Sequence, residues 1–207
     1  MIYKELIELL NTRRSVRKFL PDPVPVEDIE KMIAAAGAAP SGNNKQNWRF
    51  IAVTSEKVRN QMIEEIKGTI EEFASRIESA RAKDEFKAYT KYYTFFTQAP
   101  LVICAVKTPY DSLTSRIMDR YNLPHERRSS ADTQGPAAAI QNLLLAAHSL
   151  GYGACWMTGP MIARFELEKV LGIEPPDQLI AIIPAGKPAA KPDSPKKKDV
   201  KEIYNIL

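Results

Sequence analysis

The sequence predicts an α+β protein in which a small sheet, mixed or antiparallel, is surrounded by helices, and three features favour this class. Apolar residues recur at helical spacing in several separate stretches. Short apolar runs rich in β-branched residues lie between these stretches and indicate strands. The strands are too few and too widely separated for a doubly wound nucleotide-binding fold, and no GxGxxG motif follows a strand.

The first part of the chain is expected to hold two helices and one strand. The apolar spacing of residues 2–10 predicts an amphipathic first helix, which the polar turn NTRRS ends. Three prolines within residues 21–28 exclude helix until about Val26, and a second helix then stops at Gly37. The strand WRFIAVT follows at 48–54.

The middle of the chain combines a helical region, a strand and an irregular segment. Residues 56–98 are charged but keep an apolar helical face, so a long helical region is expected there. LVICAV at 101–106 is continuously apolar, which is typical of a central strand covered on both faces. Residues 107–132 are polar, irregular and rich in Arg and Ser, and such a segment is expected to be a lid or substrate-pocket loop.

A long central helix and a C-terminal arm complete the predicted fold. The helix GPAAAIQNLLLAAHSLG covers 135–151, with Pro136 in its first turn. The strands ACWM (154–157) and LIAIIPAG (179–186) follow, with a helix between them. The arm at 187–207 begins extended and basic but ends apolar, which suggests that it docks on another surface, a partner subunit being one option.

Composition indicates one ordinary globular domain over residues 1–207. The hydrophobic fraction of 44% and charged fraction of 26% suit a soluble protein, and a net charge of +4 is mild for a nucleic-acid binder. No signal peptide or apolar run of about 20 residues is present, so we expect no membrane association and a cytoplasmic location. Cys104 and Cys155 are expected to be buried thiols of a reducing compartment.

Side-chain catalysis has little support in this sequence. The two histidines are His125, in the Arg-rich loop, and His148, which is expected to be a structural residue of the central helix. No GxSxG, HExxH or EF-hand pattern occurs, so a catalytic triad or a metal site is not expected. An enzyme with this sequence would take its reactive group from a cofactor.

Two polar stretches could hold such a cofactor. In TRRSVRKF (12–19), an extended backbone would project Arg13, Ser15 and Arg17 to one side, where guanidiniums and a hydroxyl suit a phosphate. The alternative is an exposed basic turn. SGNNKQNWRF (41–50) places several amides and a glycine just before a strand, as either a solvated turn or a loop around a polar ligand.

These stretches, extended to TRRSVRKF, AAPSGNNKQNWRF (38–50) and LGYGACWMTGP (150–160), together resemble the FMN-dependent nitroreductase family. The resemblance covers essentially the whole chain. It implies a nitroreductase-like α+β homodimer with FMN in the subunit interface. It also implies hydride transfer from NADH or NADPH through flavin N5 to a nitroaromatic, quinone or similar small acceptor, by a ping-pong mechanism.

The resemblance also implies which residues bind FMN. Arg13 and Ser15 would hold the phosphate and ribityl end, Arg14 would also belong to the FMN-binding set, and Arg17 would face the N1/O2 edge of the ring. The segment from Pro40 to Gln46 would reach the flavin of the other subunit, and the loop after the third motif would face N5. The arm would add cations to the phosphate. The remaining residues assigned in this way are Ser41, Gly42, Asn44, Met157, Thr158, Gly159, Lys196 and Lys197.

Three departures from the family pattern leave the subfamily open. The family usually has proline before the tryptophan, where this chain has Asn47. The arm carries lysines where arginine is common, and Thr158 stands where some relatives have an acid. The alternatives are a specialised reductive branch, such as dehalogenation of an aromatic amino acid, and a flavin-binding protein without turnover. A nucleic-acid module is disfavoured because aromatic residues do not interleave with the basic clusters.

Overall fold

The computed structural model describes residues 2–124, 130–190 and 192–207, and a four-stranded sheet lies at its centre. Every pair of neighbouring strands is antiparallel, and the spatial order is β1-β2-β4-β3. The strands are β1 (Trp48–Val53), β2 (Leu101–Lys107), β3 (Gly153–Ala154) and β4 (Gln178–Gly186). The predicted α+β class with a small sheet is confirmed.

Strand β2 is the centre of the core, as its continuous apolar run predicted. Its residues from Leu101 to Val106 are at most 1% exposed. Alternate side chains point to opposite faces of a strand, so Leu101 and Ile103 join one buried cluster while Val102 and Cys104 join another. The sheet therefore needs helices on both faces.

Two pairs of helices provide most of this cover. Helices α2 and α7 pack on the face of Ile103, and helices α3 and α8 pack on the face of Cys104. Short helices α4, α5 and α6 lie in the connections, and α1 contributes no buried residue to the core. The helices are α1 (Ile2–Thr12), α2 (Val26–Gly37), α3 (Glu56–Ser75), α4 (Ala80–Ala88), α5 (Thr90–Thr94), α6 (Leu113–Arg120), α7 (Ala131–Ser149) and α8 (Arg164–Leu171).

The predicted helical region at 56–98 is divided into several helices. The break follows Ser75, and a new helix then starts with its own cap, because the Ser79 hydroxyl accepts a hydrogen bond from the backbone N–H of Ala82. A short 3₁₀ helix over Phe95–Gln98 buries Phe96 completely and leads into β2.

The prediction of an irregular segment at 107–132 was wrong in part, because it contains helix α6. Ser112 caps this helix by accepting from the backbone N–H of Ser115 at 3.0 Å, and Met118 is its buried anchor. The helix spans only eight residues and leaves Leu113 and Ile117 exposed, so its short apolar pattern is easily overlooked within a polar stretch. The predicted position of His125 lies outside the described residues.

Two other boundaries differ from the predictions. Helix α7 begins at Ala131, one turn before the predicted start, so Pro136 lies inside the helix and not in its first turn. The predicted strand at 154–157 is shorter, because only β3 pairs continuously and Met157 returns to the sheet through an isolated bridge with Ile182. The register is the same in both pairings, because Ala154 lies opposite Ala185 and Met157 lies opposite Ile182.

Strand β3 also anchors the segment that follows α1. The N–H of Val16 donates to the carbonyl of Ala154 at 3.0 Å, and Ser15 and Ala154 form a parallel bridge. A Cβ built on Gly153 would lie 2.4 Å from Cγ2 of Val16, so the side chain of Val16 fills the space that glycine leaves. Glycine is therefore needed at 153 for this close approach.

Helix α1 touches the body of the protein through a polar contact with α7. Thr12 Oγ1 and His148 Nε2 are 2.9 Å apart, in agreement with the structural role predicted for this histidine. Burial lowers the pKa of His148, and the nearby positive charges of Arg13 and Arg14 lower it further. His148 is therefore neutral in the folded protein over a wider pH range than in the unfolded chain.

Beyond Gly186, the C-terminal arm is extended and mostly exposed, with a single 3₁₀ turn over Val200–Glu202 in the described part. Of the helices that the structure describes, none has the length and apolar character that crossing a bilayer requires.

We predict opposite effects for alanine at two glycines. Gly153→Ala should lower the free energy of unfolding by about 1–3 kcal/mol, because the new methyl group overlaps Val16. Gly68→Ala is the matched control: nothing lies within 4 Å of a Cβ there, and the site is in the interior of α3. The control should raise stability by about 1 kcal/mol in urea unfolding. Equal effects of the two changes would contradict the packing described.

We also predict that His148 contributes to acid sensitivity. Its folded pKa is below the unfolded value of 6.5, so the unfolded chain binds more protons and stability falls as the pH drops through this value. The loss stops once the pH is below the folded pKa. His148→Gln should therefore flatten urea-unfolding stability between pH 7 and pH 5 relative to the wild type. Superimposable pH profiles would show that His148 does not cause the effect.

Candidate functional site

A basic cavity of about 680 Å³ lies between the segment that follows α1 and the C-terminal arm. The structure thus brings together cations from the two ends of the chain. Lys197 lines the cavity, whereas Lys196 does not. The polar side chains in the lining belong to Arg13, Arg14, Ser15, Arg17, Lys18, Asp193 and Lys197.

The bridge to β3 explains why these side chains gather at the cavity. It holds Ser15 in an extended backbone, and Val16 is buried against Gly153. Side chains on either side of a buried residue in an extended segment point away from it. Ser15 and Arg17 consequently project away from Val16, and the whole run from Arg13 to Lys18, Val16 included, lines the cavity.

The charges in this cavity are largely unneutralised. Within the described residues, Arg13, Arg17 and Lys197 form no ion pair, and Asp193 is the single carboxylate in the lining. Guanidinium groups bind phosphate with paired, charge-assisted hydrogen bonds of about 1.5–3 kcal/mol each. The donor set fits a phosphate group.

Arg14 makes contacts that differ from those of its neighbours. Its Nη1 donates to the carbonyls of Asn11 and Arg13, at 2.5 and 2.8 Å, where α1 ends. Its Nη2 donates to Oγ of Ser194 at 2.6 Å. Arg14 therefore fastens the arm to the end of α1, and part of its donor capacity is used within the chain.

The amide-rich loop adopts a conformation that accounts for several of its residue types. Asn43, Asn44 and Gln46 have φ values of 53°, 52° and 45°, in the left-handed region that asparagine tolerates better than most residues. The hydroxyl of Ser41 accepts from the backbone N–H of Gln46 at 2.9 Å and so closes the loop. Asn43 and Asn44 therefore suit the turn itself, apart from any ligand.

This loop does not line the basic cavity of its own chain. Pro40, Asn44 and Gln46 are exposed, and the amide of Gln46 donates to Oδ1 of Asn44 at 3.2 Å. The loop and the basic cavity are therefore separate surfaces of this chain.

Gly42 is in contact with a tyrosine that the sequence did not single out. A Cβ at Gly42 would lie 2.4 Å from the hydroxyl oxygen of Tyr110. The segment that carries Tyr110 also bonds the loop, because the N–H of Thr108 donates to the carbonyl of Asn47 at 3.1 Å. Long-range contacts of this kind have no signal in local sequence.

The third predicted segment lies beside the first one. Cys155 is buried, which raises the pKa of its thiol, while Arg17 and the hydroxyl of Ser15 act in the opposite direction. Thr158 is exposed and Met157 is buried on the sheet.

Gly159 begins a 3₁₀ turn in this segment, and the ring of Tyr93 fills the space beside it, 2.4 Å from where a Cβ would lie. Tyr93, Cys155 and Lys18 also lie in this region, although none of them was among the predicted FMN-binding residues.

Known proteins resemble this chain in sequence and in fold over nearly its whole length. A BluB-like flavoprotein from Clostridium difficile 630 has 32% identity and a TM-score of 0.89, with 98% of both chains covered. The structure of an iodotyrosine deiodinase bound to FMN and 3-iodo-L-tyrosine has 25% identity and a TM-score of 0.70, with 98% of this chain and 100% of that chain covered. YfhC of Bacillus subtilis (strain 168), named as a candidate NAD(P)H nitroreductase, is 25% identical over 98% of this chain and 94% of its own length.

A family model described as the Nitroreductase family matches residues 10–187. This range contains the basic segment, the amide-rich loop and the turn at Gly159. The fold and all three motifs therefore lead to one conclusion: the chain belongs to the Nitroreductase family, a family of oxidoreductases.

Proposed function

We propose that this protein is an FMN-dependent oxidoreductase that passes hydride from NADH or NADPH to a nitroaromatic, a quinone or a similar small organic acceptor. The observation that carries the proposal is the cavity in which Arg13 and Arg17 meet Lys197 from the other end of the chain, with Asp193 as the single carboxylate in the lining. Family membership and the FMN bound by the iodotyrosine deiodinase support it.

The residues present fit the phosphate end of FMN. Arg13 and Ser15 would bind the phosphate, with Lys197 and Lys196 adding positive charge from the arm, and Arg14 would hold that arm in place through Ser194. Arg17 would bring a cation to the ring edge that becomes negative on reduction, which favours the reduced state. FMN, when bound, supplies the hydride-accepting and hydride-donating chemistry that no side chain of this region offers.

We further propose that two chains pair around this site. Helix α1 exposes an apolar face, with Ile2 at 82% and Tyr3 at 72%, and the arm ends with Ile206 at 86%. Exposed apolar surface of this extent is typical of an interaction site. Pairing would bring the segment Pro40–Gln46, including Ser41, Gly42 and Asn44, to the flavin held mainly by the other chain, with Met157, Thr158 and Gly159 near its reactive edge.

The location that we propose is the cytoplasm. Cys104 and Cys155 are free and buried thiols, and burial raises the pKa of Cys104 to about 12. Unpaired cysteines are typical of reducing compartments.

Reductive dehalogenation of an aromatic amino acid is the second candidate. The likeness to the iodotyrosine deiodinase over nearly the whole chain favours it. The same cofactor site would serve both activities, so the acceptor distinguishes them.

We predict that the purified protein is yellow, with about one FMN released per chain and the mass of two chains in light scattering. Arg13→Ala should raise the Kd for FMN about 10- to 150-fold, because a charge-assisted hydrogen bond to phosphate is lost. Lys83→Ala removes one partly exposed charge from α4, outside the cavity lining, and should leave the Kd unchanged. Fluorescence titration of the apoprotein measures both values. Unchanged affinity in Arg13→Ala would refute the phosphate assignment.

We predict parallel double-reciprocal plots when NADH or NADPH is varied at several fixed quinone concentrations, because donor and acceptor would use one flavin face in turn. Converging lines would indicate a ternary complex. Substituting 3-iodo-L-tyrosine as the acceptor and measuring iodide release tests the second candidate. Iodide release faster than quinone reduction at equal concentrations would reverse the order of the two proposals.

A further inference from the structure

We infer that Asn47 is a positioning residue, which holds the amide-rich loop Ser41–Gln46 in register with the segment Lys107–Tyr110 and with the start of α7. This inference rests on the proposed function, since that loop is proposed to contact FMN, and on the expectation that the segment after β2 contributes to the acceptor pocket. Asn47 is 1% exposed, whereas the residues before it from Asn43 to Gln46 are exposed. It is therefore the point at which the loop enters the core.

The side chain of Asn47 meets a carbonyl that lacks its usual partner. Pro136 lies inside α7 and has no N–H, so the carbonyl of Asp132, four residues earlier, receives no helical hydrogen bond from it. Asn47 Nδ2 donates to this carbonyl at 2.8 Å. A loop side chain thus supplies the donor that the helix lacks, over a separation of 85 residues in the sequence.

Two further contacts join Asn47 and its neighbours to the predicted acceptor segment. The backbone carbonyl of Asn47 accepts from the N–H of Thr108 at 3.1 Å. Lys107 Nζ lies 2.9 Å from Oδ2 of Asp132, the same residue whose carbonyl Asn47 binds. The loop, the end of β2 and the first turn of α7 are consequently joined at one point.

The hydrogen-bonding pattern of Asn47 explains the choice of side chain. Its Oδ1 is buried and has no hydrogen-bond partner among the described residues, so the donating half of the amide is the half that is used. Gly135 leaves the room for it, because a Cβ there would lie 3.3 Å from Oδ1. Proline, the residue usual in the family, has no side-chain donor and could not make this contact.

Fixing Asn47 also fixes the strained residue before it. Gln46 has a φ of 45°, and its N–H donates to the hydroxyl of Ser41 at the other end of the loop. Left-handed backbone persists where the surroundings determine it. Release of Asn47 would therefore free the loop to relax away from the conformation proposed to contact the flavin.

Two single variants and their double variant distinguish an effect of Asn47 on the position of the loop from an effect on the stability of the protein. Asn47→Ala should lower the urea midpoint and raise the Kd for FMN about tenfold. Pro136→Ala restores an N–H for the carbonyl of Asp132 and should alone leave the Kd unchanged. In the double variant the urea midpoint should return toward the wild-type value, whereas the Kd for FMN should stay raised, because the tether to the loop is still absent. In the FMN-saturated double variant the acceptor KM should also rise, with kcat nearly unchanged.

Recovery of the Kd in the double variant would overturn the inference, since Asn47 would then matter only as a partner for the carbonyl. A Kd within twofold of wild type in Asn47→Ala would overturn it as well. Failure of the wild type to bind FMN would instead refute the proposed function, and the urea measurements would still report whether Asn47 and Pro136 are coupled.

Discussion

The functional region depends on the hydrogen bond between the N–H of Val16 and the carbonyl of Ala154. It attaches the segment after α1 to the edge of the sheet, and the missing side chain of Gly153 lets Val16 pack there. With Val16 packed at the sheet edge, the run from Arg13 to Lys18 is held along the cavity. The same contact sets the first motif next to the third one, because Ala154 is followed directly by Cys155 and the turn at Gly159. The basic segment after α1 therefore forms one side of the basic cavity.

A cluster of unneutralised cations is unfavourable in the free protein, since like charges repel and their hydration is reduced. Arg14 relieves part of this cost by donating to carbonyls at the end of α1, where the helix dipole is negative. Arg13 and Lys197 have no such partners within the described chain, and Arg17 has a single long contact, from its Nη1 to the carbonyl of Ser15 at 3.5 Å. A bound dianion would reverse the sign of these interactions, so the free energy stored in the cluster becomes available for binding and stabilises the folded state.

Sequence patterns correctly predicted those helices and strands whose own residues carry a clear apolar pattern. Helix α2 and strand β2 followed directly from apolar periodicity, and the cations of the two chain ends share a cavity as their chemistry indicated, apart from Lys196. The failures have a common cause in contacts between distant residues. Helix α6 depends on a cap and on one buried methionine, and the partnership of Gly42 with Tyr110 joins segments that are remote in sequence. Local propensity contains no information on such contacts.

The start of α7 shows how a distant contact can override a sound local rule. Proline favours the first turn of a helix because its missing N–H is not needed there. In this chain the helix extends one turn further back, and Asn47 donates to the carbonyl that Pro136 leaves without a partner. The extra turn carries Asp132, whose carboxylate pairs with Lys107 at the end of β2. Asn47 is thus linked to the helix start, to the amide-rich loop and to the segment that follows β2. Substitution at this one buried position would therefore alter the relative placement of surfaces that the proposed reaction uses jointly.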